Sequence, residues 1–260
     1  MAPLVRVDLE PPAAIITLCR PHCANAISEA LLDELVQVGD TVASQVDLRA
    51  VVITALGDKA FCAGADLKER LSFSETDVRR VLQKYRIGLA WLERCSVPVV
   101  AALNGSALGG GLELALMCDL RVSAAHAQFG FPETSLGIIP GAGGTQRLPR
   151  LIGSARATEM ILLGTRLSAA EALNYGLVNR VTEPAVSVLN DTLQWLNPIL
   201  HGPPLAIRAA LHALRVARES SLAEGLAHEL QAYEQCLVSE DRREALRAFA
   251  EKRPARFGGR

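Results

Sequence analysis

The chain is 260 residues long, 50% hydrophobic, 21% charged and only 4% aromatic. That excludes a disordered polypeptide and suffices for a full core in one large domain, or one domain with an appendage. With 27 basic against 28 acidic residues the formal charge is −1, so no global field favours a polyanionic partner, although a local basic face could exist.

Strand and helix patterns alternate in the first half. Residues 13–18 (AAIITL) predict a strand, and Ser28 with an acid close behind opens a helical spacing that runs to about Val46. Residues 49–55 (RAVVITA), rich in β-branched side chains, predict a buried strand. Residues 75–95 predict one long amphipathic helix, with apolar positions at Val78, Leu82, Tyr85, Leu89 and Leu92. Another buried strand follows at 97–103 (VPVVAAL), then a glycine-rich turn, a helix through Leu116, and a strand over 118–123 (CDLRVS). After Gly144 the pattern becomes helical, over 145–163, 168–175, 203–219, 222–238 and 241–252, with only 176–181 strand-like. The alternation of helices with nearly continuous apolar strands implies an α/β core whose sheet faces are covered. The expected organisation is a core over 1–195 followed by a helical region over 196–260.

Six scattered cysteines, most of them in apolar runs, read as reduced thiols rather than a disulfide framework. Cys19, His22 and Cys23 lack a second ligand pair at zinc spacing, so no metal is expected. Residues 1–8 carry neither an apolar signal core nor an Arg/Ser-rich leader, and apolar stretches are broken well before membrane-spanning length. The expected location is cytoplasmic and off the membrane, or mitochondrial if a leader has been trimmed.

Three glycine-rich segments stand out: residues 60–68 (AFCAGADLK), 104–116 (NGSALGGGLELAL) and 129–148 (FGFPETSLGIIPGAGGTQRL). None is a phosphate-binding P-loop, and the third lacks the spacing and context of a dinucleotide fingerprint. In the second, Gly109, Gly110 and Gly111 open a helix, so unpaired backbone N–H groups face outward at the positive end of its dipole. Glu113 lies three residues after Gly110 on the same helix face. It is either an ordinary first-turn acid or a base placed beside a polarised carbonyl. Glu133, in the third segment, is either a solvated loop acid or a cap, or else a second proton-transfer group.

These three segments, in this order, resemble the enoyl-CoA hydratase/isomerase (crotonase) superfamily, and the similarity extends from the early AAIITLCRP to the closing AFAEKRPARF. The resemblance implies a spiral of ββα units followed by a helical trimerisation region, with assembly as a homotrimer or a homohexamer built from two trimers. It implies an acyl-CoA substrate and no further cofactor, since coenzyme A arrives with the substrate. Carried over by position, the N–H groups of Ala65 and Gly110 form an oxyanion hole for the thioester oxygen, a contribution of about 3–4 kcal/mol per donor in other enzymes. Ala63 would meet the adenine through its carbonyl, and Ala65, Asp66, Leu67 and Lys68 would line the coenzyme A channel. Glu113 and Glu133 match the two hydratase carboxylates, with Glu113 as base towards water, Glu133 as proton donor to C2, and the N–H of Gly141 helping to hold the water. Phe249 and Lys252 match positions that reach a neighbouring subunit's coenzyme A; equally, they read as a solvated helix end.

The resemblance thus implies hydration of a trans-2-enoyl-CoA, with methylglutaconyl-CoA hydration and Δ3-Δ2-enoyl-CoA isomerisation as alternatives. The isomerase is disfavoured by the retained pair of acids. Some relatives bind RNA through a lysine-rich helix. The matching segment here carries Arg79, Arg80, Lys84, Arg86 and Arg94, but with interspersed acids that speak against nucleic acid. Asp66 reads as a cap or an ion-pair partner, and Asp119 with Arg121 as a structural ion pair. His22 and His126 have no visible partners for catalysis, and Trp91 and Trp195 read as core.

Overall fold

The computed structural model describes residues 2–260. Two sheets grow together as the chain winds. The larger, in order β1-β2-β3-β5-β7-β10, contains Val5–Glu10, Ala13–Leu18, Ala50–Ala55, Val99–Leu103, Leu120–Ala124 and Arg180–Thr182. The smaller, in order β4-β6-β8-β9, contains Ala60–Cys62, Ser106–Leu108, Gln128–Gly130 and Leu167–Ser168. From β3 to β8 successive strands alternate between the first sheet and the second, the ββα spiral that the family resemblance implied. All pairings are parallel except the β1–β2 hairpin and the β8–β9 edge.

The strands occur where the side chains demand them. Every residue of β3 and β5 is buried, as expected for parallel strands covered on both faces. β1 was not anticipated: its sequence VRVDLE alternates apolar with charged residues, the period of a half-exposed edge strand.

Between the strands run α1 (Glu29–Ala43), α2 (Leu67–Arg70), α3 (Glu75–Gln83), α4 (Trp91–Arg94) and α5 (Gly110–Met117). Ser28 caps α1 as its sequence suggested, its hydroxyl accepting from the N–H of Leu31. The single long helix expected over 75–95 is instead interrupted. α3 ends at Gln83, a π-helical turn spans Lys84–Gly88, and α4 restarts at Trp91. The apolar spacing runs straight across the widened turn, so periodicity could not reveal it.

The helix expected over 145–163 is likewise two, α6 (Gly144–Ile152) and α7 (Ser154–Leu162), separated at Gly153. Next come α8 (Ala169–Asn174), α9 (Val188–Trp195) and α10 (Asn197–Leu200). α11 (Pro204–Val216), α12 (Leu222–Leu237) and α13 (Glu240–Glu251) complete the chain. α11 packs along α12, and α12 leaves Leu222, Leu226, Leu230 and Tyr233 exposed at helical spacing. Among the described residues, no helix is long and apolar enough to cross a membrane.

The expected Asp119–Arg121 pair does not form. Asp119 takes two bonds from the Arg215 guanidinium, at 3.0 and 2.6 Å, and one from the N–H of Val99. Arg121 is buried and donates to the carbonyls of Leu177 and Cys118 at 2.7 and 2.6 Å. The strand places the two residues close together, but Arg215, 96 positions away, reaches the acid first. Trp91 donates its indole N–H to the carbonyl of Leu35, and Trp91 and Trp195 pack on the core as expected.

Candidate active site

Residues 60–68 and 104–113 run side by side because β4 and β6 are parallel neighbours. At the ends of those strands, the backbones of Gly64–Ala65 and Gly109–Gly110 come into contact. A Cβ added at Gly64 would stand 2.9 Å from the carbonyl oxygen of Leu108 and 3.2 Å from the nitrogen of Gly110, and the backbone there has φ +94°. Only glycine fits that combination of strain and proximity. Neither Ala65 nor Gly110 donates its N–H to any described residue. Two free donors therefore lie together at the start of α5, where the helix dipole adds to them.

Glu113 lies one turn into α5, 3% exposed. Its Oε1 accepts from the N–H groups of Ala142 at 2.7 Å and Gly144 at 2.8 Å. Burial raises its proton affinity, while these two donors and the charges of Arg147 and Arg86 pull it back; the net shift is upward. Gly141, expected to offer an N–H here, adjoins this loop, but the donors to Glu113 are its neighbours. A Cβ at Gly141 would stand 2.8 Å from Leu82 Cδ1.

Glu133 opens a short 3-10 turn after β8 and is 9% exposed. Its carboxylate packs on Gly109, where a Cβ would stand 2.7 Å from Oε1 and where φ is +51°. The N–H of Glu113 in turn donates to the carbonyl of Gly109 at 3.0 Å. The Glu133 carboxylate and the backbone of Glu113 therefore meet at one glycine, next to Gly110 with its free N–H. Oε2 of Glu133 is buried without a hydrogen-bond partner among the described residues. Burial first, and the nearby charge of Glu113 second, push this carboxyl up to about 7.

The remaining site positions divide between the segment 63–68 and the far end of the chain. Ala63 is exposed, and its own N–H is spent on the carbonyl of Ala24. Asp66 does both things its sequence allowed. It caps α2 through the N–H groups of Lys68 and Glu69, and it pairs with Arg20 at 2.9 Å. Leu67 is exposed, as is Lys68. Phe249 and Lys252 lie at the end of α13, Phe249 85% exposed and Lys252 in a left-handed cap. Neither joins the hydrogen-bond network of the acids within one chain. His126 is exposed and contacts only the carbonyl of Asp58, away from both acids.

Two supports of the site were not foreseen. Tyr85, in the π-helical turn, donates its hydroxyl to the carbonyl of Gly110 at 2.5 Å and is almost wholly buried. Arg147 grips Glu93 with two bonds of 2.8 and 2.7 Å and donates to the carbonyl of Ala142 at 2.8 Å, pinning the loop that holds Glu113. Glu93 and Arg147 are 54 positions apart, so no spacing rule connects them. A buried tyrosine in an apolar stripe gives no sequence signal beyond its need to place a hydroxyl.

A family model described as Enoyl-CoA hydratase/isomerase matches residues 11–260. YngF of Bacillus subtilis (strain 168) is 48% identical over 246 residues, covering 95% of this chain and 94% of that protein. A 2,3-dehydroadipyl-CoA hydratase of Escherichia coli (strain K12) is 42% identical over 247 residues, with 95% of each chain covered. The crystal structure of an enoyl-CoA hydratase from Bacillus anthracis superposes with a TM-score of 0.95 at 44% identity, covering 99% of this chain and all of the other. Family match, spiral architecture and the pairing of free amide donors with two buried acids agree: the chain belongs to the enoyl-CoA hydratase/isomerase family.

Proposed function

We propose that this site adds water reversibly across the trans-2 double bond of an enoyl-CoA thioester, giving a 3-hydroxyacyl-CoA. The observation that carries this reading is the pair of buried acids, Glu133 with its carboxylate on Gly109 and Glu113 one turn further along the same helix, beside the free N–H groups of Ala65 and Gly110. Those groups accept the thioester oxygen as it gains charge, an interaction that strengthens towards the transition state. Glu113, kept accessible as an anion by two backbone donors, takes a proton from the water whose oxygen bonds to C3. Glu133, whose carboxyl reaches about 7, delivers a proton to C2. The π electrons of the double bond move into the enolate and then into the new C2–H bond. The N–H of Gly141 serves as a further water donor. No metal or redox group is needed for these proton transfers, and coenzyme A enters as part of the substrate, along Ala63–Lys68.

Δ3-Δ2 isomerisation moves one proton between C2 and C4 and leaves one of the two acids without a task, which favours hydration. Three cations of the segment matched to RNA binding are engaged inside the protein. Arg79 pairs with Glu75, Arg80 with Glu29 and Asp77, and Lys84 with Glu29 and Asp33, which disfavours a phosphate-binding face. The exposed apolar stripe of α12 supports assembly through the C-terminal helices as a trimer or a hexamer, with Phe249 and Lys252 turned to a neighbouring copy's coenzyme A.

The test follows loss of the enoyl-thioester absorbance of crotonyl-CoA with the wild type, Glu113→Gln and Glu133→Gln. Hydration should fall about 10²–10⁴-fold in each variant. Isomerisation of a 3-enoyl-CoA without hydration by folded wild type, or full hydration in either variant, refutes the two-acid reading.

A further inference from the structure

The two oxygens of Glu113 have different surroundings. Oε1 accepts from the N–H groups of Ala142 and Gly144, whereas Oε2 meets no donor among the described residues and, unlike Oε2 of Glu133, is not wholly buried. Gly144 opens α6, and Gly143 at the cap position has no side chain to satisfy that N–H. Oε1 therefore caps α6 from another helix, at the positive end of its dipole.

Arg147, one turn into α6, folds back on the same loop. Its Nε and Nη2 hold both oxygens of Glu93 at 2.8 and 2.7 Å, and its Nη1 donates to the carbonyl of Ala142 at 2.8 Å. Three donors committed in two directions suit the rigid fork of a guanidinium and not an ammonium. The pair is half-buried, so solvent screens it only in part. Gly143 lies under the fork: its φ is +106°, and a Cβ there would collide with Nη1. Glu93 belongs to α4, the helix that restarts after the π-helical turn. The interrupted helix thus braces Gly110 through Tyr85, and the 142–144 loop through Glu93 and Arg147.

We propose that Arg147, anchored by Glu93, is a positioning residue for hydration: its clamp on Ala142 keeps both N–H groups on Oε1 of Glu113, so that Oε2 takes the proton of the attacking water. The inference rests on the hydratase reading above. The O–H bond of the water breaks as its oxygen bonds to C3, and the proton goes to Oε2. Glu133 gives its own proton to C2, and between turnovers Oε2 loses its proton to solvent while Glu133 regains one. The other titratable or charged groups around Glu113 are Tyr85 and Arg86 from the π-helical turn and Glu133 after β8. Cys62 and Cys118, whose thiols burial pushes up to about 12, stay neutral.

The experiment measures kcat/KM for crotonyl-CoA against pH in wild type, Arg147→Met, Arg147→Lys and Glu93→Gln. The acidic limb reports Glu113 becoming an anion, and the basic limb reports Glu133 losing its proton. Arg147→Met removes a nearby cation and loosens two donors, all of which favour the carboxylate. Its acidic limb should therefore move up by about one pH unit, with the basic limb in place. Glu93→Gln separates the two causes by sign. Glu93 is an anion, so if Arg147 acted through charge alone, removing Glu93 would move the limb down; loss of the clamp moves it up. A downward or absent shift in Glu93→Gln overturns the proposal, as does a fall in kcat/KM at every pH with both limbs unmoved. Arg147→Lys keeps the charge but cannot hold Glu93 and Ala142 together. Its limb should lie between those of wild type and Arg147→Met, and a limb at the wild-type position would overturn the clamp. Should Arg147→Met fail to fold, the two milder variants decide the question. An infrared titration of the carboxyl band that is missing from Glu113→Gln reads the same shift without turnover. If that band titrates at higher pH in Arg147→Met and Glu93→Gln, in a protein that hydrates no enoyl-CoA, the clamp on Glu113 stands and the hydratase reading fails. A band whose titration does not move rejects the clamp whether or not hydration occurs.

Discussion

Glu133 should weaken the protein in the pH range where it is useful. Its carboxyl, ordinarily near 4.5, is pushed up to about 7 by burial and by Glu113, and Oε2 has no hydrogen-bond donor. Because the folded pKa lies above the unfolded one, the folded state binds this proton more tightly. The stabilisation is complete below about 4.5 and is lost as pH rises through about 7. At about 1.4 kcal/mol per pKa unit, the loss is about 1.4 kcal/mol at pH 5.5 and about 3 kcal/mol at pH 8. Glu133→Gln removes the charge but keeps the shape, so its stability relative to wild type should improve by about 2 kcal/mol between those two pH values. On the scale of chains this long, that is about 4–8 °C in Tm. Any constant packing difference between the amide and the acid cancels in the comparison. Denaturant unfolding of wild type and Glu133→Gln at one protein concentration, at pH 5.5 and 8, measures it. A difference that does not change with pH, or one that favours wild type at pH 8, would refute the assignment of Glu133 as a buried acid whose Oε2 lacks a donor.

Gly64→Ala would push a methyl towards the nitrogen of Gly110 and the carbonyl of Leu108, from a backbone conformation costly for any other residue. Crotonyl-CoA hydration by the folded variant should drop about 10²–10³-fold, the cost of losing one oxyanion donor, and wild-type kcat would exclude this pocket as the oxyanion site. Arg215→Met strands Asp119, whose side chain is 7% exposed, with only the N–H of Val99 and Arg218 at 3.6 Å left. Urea unfolding should show about 2–4 kcal/mol less stability. A loss under about 1 kcal/mol would mean that this pair does not tie α11 to the core.

Much of the molecule was written locally. The continuous apolar runs at 50–55 and 99–103 read as covered strands and form them, and Ser28 announced its helix by a cap that forms. The three glycine-rich segments marked the site because close backbone approach requires glycine wherever it occurs, and Gly64 and Gly109 both meet that requirement. Local pattern failed where a choice depended on distant partners. The helix over 75–95 breaks at a π turn seated on Gly110, and Asp119 chooses Arg215 over its strand neighbour. Arg147 meets Glu93, and both acids meet at Gly109, only because the spiral brings their segments together. The sequence by itself determined which residue types could do this chemistry, since backbone strain and apolar period are properties of neighbouring residues. Only the tertiary structure decided that Glu113 receives two donors while Oε2 of Glu133 is buried with none, because burial and long-range hydrogen bonding set proton affinity, and both arise when separate turns of the chain pack.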